Sequence, residues 1–170
     1  MAPSWASVWG SGAPCVGPDP SYAAGMAAVD VVTEVVIDRP LPDVAAYAAD
    51  PDTATSWYAN IRRVTWLTEP PLSVGARLAF VAQFLGRELA YTYEVLEHDP
   101  GARFVMSTVE GPFPMTTTYT WEEVGDSTRM TLRNAGEPSG FARVSAPVMV
   151  RAMRRANAKD LQALKRLLEA

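Results

Sequence analysis

The chain has 170 residues, 48% of them apolar and 20% charged, with a net charge of −4 and a pI near 5.0. That size and balance fit one globular domain and exclude disorder of the whole chain. The acidic balance argues against a nucleic-acid partner, and a single cysteine (Cys15) and a single histidine (His98) exclude an intramolecular disulfide and a Cys/His metal site.

No apolar run reaches the roughly 18 residues of a membrane helix, so no membrane insertion is expected. The N-terminus has no basic start followed by an apolar stretch, and cytoplasmic residence is the default expectation. Charge is spread unevenly. From Gly140 onward seven basic residues stand against two acidic ones, a balance of about +5 that leaves about −9 for the rest. Cations near a helix C-terminus suit its dipole, so a solvated helix face is the simpler account, with an anionic partner or a membrane surface as the alternative.

Residues 1–25 are rich in Pro, Gly, Ala and Ser without periodicity and are expected to be a disordered or weakly docked tail, despite Trp5 and Trp9. Met26 is a candidate true start. The folded domain is expected over residues 29–170.

Val29 to Asp38 is dominated by β-branched residues and predicts a strand, ended by Arg39-Pro40. Leu41 to Ala49 predicts a short helix with Pro42 in its first turn, and a second short helix runs to about Trp57 and Tyr58. Six strand signals follow: Ile61–Thr68, Gly75–Leu85, Arg87–His98, Arg103–Glu110, Met115–Val124 and Thr128–Ala135. Their short connections predict antiparallel pairing. Finally, Ala146, Val150, Met153, Asn157, Leu161, Leu164 and Leu168 recur every three or four residues and predict a helix from Ala146 to Glu169, with Pro147 marking either its first turn or a kink after a shorter lead-in helix near Gly140. The predicted class is α+β: a curved seven-stranded antiparallel sheet around a long C-terminal helix, with two short helices after the first strand.

Strand alternation assigns an inner face. It carries Leu78, Phe80, Ala82 and Phe84, then Leu89, Tyr91, Tyr93 and Val95. Further along the chain come Met115, Thr117, Tyr119 and Trp121, then Met130, Leu132 and Asn134. For Phe104, Met106 and Thr108 against Val105, Ser107 and Val109 the parity is ambiguous. A single helix about 10 Å across does not cover so wide an apolar face, so aromatic side chains fill the remainder or a cavity stays open.

The expected cavity wall is Trp57, Leu78, Phe80, Phe84, Tyr91 and Tyr93 on one side. Met106, Met115, Thr117, Tyr119, Trp121, Met130 and Asn134 continue it, with Met153 and Asn157 from the helix. Buried tyrosine, threonine and asparagine groups need partners, which a ligand or water supplies unless the hydroxyls reach the rim and Asn157 meets a backbone carbonyl.

These pieces together resemble the START-like (SRPBCC) superfamily, which includes polyketide cyclases and dehydrases, aromatases and lipid-transfer domains. The resemblance spans residues 29 to 169. It rests on Asp38-Arg39-Pro40, the helix LPDVAAYAAD, Trp57, Val74-Gly75, Leu96-Glu97-His98-Asp99-Pro100, the segment from Gly125 to Thr131 and the terminal DLQALKRLLE, in that order and spacing. It implies a helix-grip fold with a hydrophobic cavity under the last helix, and no catalytic signature.

Chemistry beyond binding finds little support in the residues. There is no Gly-x-Ser-x-Gly, no phosphate loop and no dinucleotide fingerprint, so no cofactor is expected. His98 falls at a strand end, most strand carboxylates fall on the outer parity, and Arg103 and Arg129 read as surface residues beside turns. No inward-facing His or Arg is evident. The leading expectation is binding of an apolar, lipid-like small molecule. Two alternatives are a cyclase that works by orienting its substrate and a protein-interaction module of the chaperone-activator type, supported only by the basic helix face. A protein partner or homo-oligomer is compatible with either.

Overall fold

The computed structural model describes residues 29–84, 86–112, 114–137 and 146–170, with Phe84 and Ala146 by their backbone alone. The expected tail, Met26 and the lead-in near Gly140 lie outside the described residues.

Strand β1 (Val29–Ile37) is followed by helix α1 (Leu41–Ala49), a 3₁₀ turn (Pro51–Thr53) and helix α2 (Ala54–Trp57). Six strands come next: β2 (Ile61–Trp66), β3 (Arg77–Phe84), β4 (Arg87–Asp99), β5 (Arg103–Glu110), β6 (Met115–Val124) and β7 (Ser127–Gly136). The long helix α3 (Ala146–Leu168) closes the chain. The seven strands form one antiparallel sheet in the order β1-β7-β6-β5-β4-β3-β2. The expected helix-grip architecture is therefore present. Only strand ends differ: β3 begins at Arg77 because Gly75, at φ 85°, forms a turn in which the Ala76 N–H donates to Ser73 O.

Strand β1 alternates as its sequence demands. Val29, Val31, Val35 and Ile37 are buried, while Val32 and Val36 face solvent. The chain then turns at Pro40 into α1, which buries Val44, Ala45 and Ala48. The Asp50 carboxylate accepts the Asp52 N–H at 2.9 Å and fixes the turn into α2.

A bulge settles the parity that sequence left open in β5. Val95 faces Met106, but Glu97 faces Val105, so Leu96 is an extra residue in β4. Phe104 and Met106 consequently point into the core, and His98 returns to the inner face edge-on to Phe104. Glu97 is turned outward, where its carboxylate accepts from Arg103 at 2.7 Å.

Other exposed pairs tie neighbouring strands on this outer face: Arg77–Glu94, Arg129–Glu122 and Arg133–Asp30. Arg103 and Arg129 are surface residues. Such pairs contribute at most about 1 kcal/mol each.

Helix α3 lies along β1 and α2. Its last turn is clamped to the β1–α1 corner. Lys165 Nζ donates to Val36 O at 2.7 Å, the Asp38 N–H donates to Glu169 Oε1 at 2.6 Å, and Arg39 Nε donates to Leu168 O. Leu161 and Leu164 are fully buried in one cluster with Ile37, Trp57, Trp121, Met130 and Leu132. Nearer the helix start, Val29 and Val31 form a second, smaller cluster with Met149, Val150 and Met153. Among the described residues no helix is long and apolar enough to cross a membrane.

Candidate functional site

Between the two apolar clusters the helix and the sheet do not meet. They enclose a cavity of about 460 Å³. Ten of the residues expected on its wall are there: Phe80, Tyr91, Tyr93, Met106, Met115, Thr117, Tyr119, Asn134, Met153 and Asn157. Four are not. Trp57, Leu78 and Met130 are buried in the core that Leu161 and Leu164 of α3 join, and Trp121, buried in the same core, borders a separate hollow beside α1. Their inward parity was right, but alternation alone does not distinguish packed space from open space. The Phe84 side chain lies outside the described residues.

Sequence reasoning missed several wall residues. Tyr58, Asn60 and Ile61 come from the α2–β2 junction, and Ala82 and Leu89 from the β3–β4 hairpin. Arg87 and the exposed Pro112 stand at the rim, while Met149, Ala156 and Asp160 come from α3. Arg87 corrects the expectation that no inward Arg exists: it continues the inner parity of Leu89, Tyr91 and Tyr93 to the strand end. Asp160 also had a signal, since it lies three residues beyond Asn157 and four before Leu164 on the buried stripe.

The polar groups on the wall form two sets. In the first, Asn157 Nδ2 donates to Asn134 Oδ1 at 2.7 Å, and Asn134 Nδ2 donates to Thr117 Oγ1 at 2.9 Å. A hydrogen bond between Thr117 and Tyr93 extends the seam across the sheet. Asn157 thus meets a side-chain amide rather than a backbone carbonyl, and the seam is satisfied within the protein.

In the second set, the hydroxyls of Tyr58 and Tyr119 lie 2.7 Å apart. Asp160 is close enough to both to raise their pKa values electrostatically. Asp160 is 3% exposed, and its Oδ1 accepts the Ala59 N–H at 3.0 Å. Burial raises its pKa to about 6, against smaller opposing effects of the Ala59 N–H and Lys159. Burial likewise pushes the Tyr58, Tyr93 and Tyr119 hydroxyls above their ordinary value, so they stay protonated at any physiological pH.

A second hollow, of about 640 Å³, lies at the opposite end of the molecule between α1, Pro70, Pro71, Pro100, His98 and Trp121. It is larger, but no buried polar side chain faces it. Of the five buried polar residues among those described, Thr117, Asn134, Asn157 and Asp160 line the cavity under α3. The remaining one, Thr128, donates to Arg39 O at 2.8 Å. The cavity under α3 is the candidate site. Among the described residues no cluster of His, Cys, Asp or Glu suits a metal ion.

Residues 28–169 match the sequence model of the family described as polyketide cyclase / dehydrase and lipid transport. No curated protein sequence matches the chain. Among solved structures, a protein of Thermus thermophilus superposes with TM-score 0.72 at 20% identity, covering 81% of this chain and 94% of its own. The Zhui aromatase/cyclase from Streptomyces sp. R1128 superposes with TM-score 0.64 at 16% identity, covering 79% and 90%. A START superfamily protein from Mycobacterium smegmatis does so with TM-score 0.61 at 13% identity, covering 79% and 98%. At these identities the structural likeness concerns the fold.

Proposed function

The chain belongs to the polyketide cyclase / dehydrase and lipid transport family, and we propose that it binds an apolar small molecule in the cavity under α3. One observation carries the reading: a 460 Å³ space walled by Phe80, Leu89, Met106, Met115 and Met153 lies in a sheet–helix interface that is otherwise packed. Larger side chains there would bury more apolar surface, worth roughly 25 cal/mol per Å². A sequence that keeps flexible methionines at three of those positions forgoes that stability, as a ligand site does.

Native mass spectrometry of freshly purified protein tests this. The expected result is a population carrying one apolar molecule, or one that takes up an added neutral probe at one-to-one stoichiometry. Protein that stays empty with every apolar probe contradicts it.

A second reading, a cyclase that folds a reactive chain by orientation, draws support from the Asn157–Asn134–Thr117–Tyr93 seam, whose amides and hydroxyls offer fixed dipoles along one wall. Turnover of a poly-β-ketone surrogate that is lost in Asn157→Ala supports it. Binding of that surrogate without turnover favours the first reading.

A further inference from the structure

The cavity wall holds one buried carboxyl group with a single donor among the described residues. Asp160 is 3% exposed, and among the described residues its single hydrogen-bond donor is the Ala59 N–H on Oδ1. A carboxylate offers about four lone-pair sites. Among the described residues no cation pairs with it. Lys159 is its neighbour in the chain but is solvent-exposed, and Arg87 stands on the rim formed by the β3–β4 hairpin. Two tyrosines stand close to it. Tyr58 and Tyr119 share one hydrogen bond, which leaves hydroxyl lone pairs available, and Tyr93 stands beside them.

A buried acid with tyrosine hydroxyls beside it can hold a cation: the carboxylate supplies the counter-charge, and the hydroxyl oxygens accept hydrogen bonds from an ammonium. We propose that the ligand carries an ammonium group, a protonated amine on an apolar body, with its nitrogen at Asp160 and the Tyr58–Tyr119 pair and its body lying toward Met106, Met115 and Met153. The proposal rests on the reading of this cavity as a ligand site. It narrows the class of ligand by charge. An anionic head would meet a like charge in a low-dielectric site, and a neutral head would leave the carboxylate unpaired, whereas an ammonium neutralises it.

Around Asp160 the titratable and charged groups are Tyr58 and Tyr119, both held protonated, with Tyr93 beside them, and the outward Lys159. Between pH 5 and 7.5 only Asp160 changes charge among them, being ionised above about 6.

Decylamine, decanol and decanoic acid provide the test, titrated calorimetrically into the full chain and into Asp160→Asn. At pH 7.5 the wild type is expected to bind the amine about tenfold more tightly than the alcohol, and the acid more weakly than either. Asp160→Asn is expected to lose the preference for the amine over the alcohol. Lowering the pH to 5 is expected to shrink that preference in the wild type, because Asp160 gains a proton while the alkylamine keeps its own. If decanol binds and decylamine is no tighter, or if Asp160→Asn keeps the preference, the amine proposal falls and the apolar cavity stands. If none of the three binds, both fall.

Discussion

The two ends of the space between α3 and the sheet are built from the same elements and do opposite things. Toward the C-terminus of α3, Leu161 and Leu164 join Ile37, Trp57, Trp121, Met130 and Leu132 in one buried core, and neither leucine borders the cavity. One or two turns earlier, Met153, Ala156 and Asn157 face Tyr91, Met106, Met115 and Asn134 across open space. The difference lies in the side chains and in the anchoring. Branched leucines and a clamped last turn fix one end. Methionines, an alanine and a polar seam hold the other apart. This helix-grip fold therefore sets packed core and open cavity along a single helix.

Truncation on each side breaks this comparison most sharply. Leu161→Ala removes fully buried volume and is expected to cost about 3 kcal/mol, read from urea unfolding, whereas Met153→Ala, already beside a void, is expected to cost about 1 kcal/mol or less. Similar losses at both sites would mean that the two ends are packed alike. Between them, Asn134→Ala leaves both Asn157 and Thr117 without their partner, an expected loss of about 2 kcal/mol. Combined with Asn157→Ala, the total should fall short of the sum, since the two residues share one bond. Full additivity would dissolve the seam as a unit.

How far sequence reached follows the same division. The β-branched run Val29–Ile37, the turn at Gly125-Asp126 and the stripe Met153–Asn157–Leu161–Leu164 specify local structure by period and composition, and the architecture was legible from them. Trp57, Leu78, Trp121 and Met130 share the inward parity of the wall residues, so alternation placed them beside the cavity. Whether an inward residue meets a leucine or a void depends on where α3 sits along the sheet, which no local pattern encodes. The bulge at Leu96 is equally invisible, because it is set by pairing with β5. Asp160 is legible by spacing, yet its residue type reads as a surface charge, as most aspartates on amphipathic helices are.

Asp160 sharpens the comparison through pH. Its pKa in the folded state, about 6, lies above the ordinary 3.8, so the native protein holds a proton that the unfolded chain releases. Its contribution is therefore most favourable below about pH 4 and is lost as pH rises through 6. Asp160→Asn keeps an acceptor for the Ala59 N–H without the buried charge. It should be more stable than the wild type at pH 7.5, with the difference shrinking by pH 4.5. A difference independent of pH would place the carboxyl in water. The smallest expected effect is on the outer face, where Arg133→Ala breaks its pair with Asp30 at a cost of about 0.5 kcal/mol or less, fading at high salt.

The central claim, that the open end is kept open for a ligand, is tested most directly by filling it. Ala156 faces the cavity from α3. Titrated with the neutral apolar dye Nile red, the wild type is expected to show saturable one-to-one fluorescence enhancement. Ala156→Trp, with an unchanged circular dichroism spectrum and a melting temperature no lower than the wild type's, is expected to lose more than about tenfold in affinity. Equal binding by the two proteins, or no saturable binding by the wild type, would contradict the account.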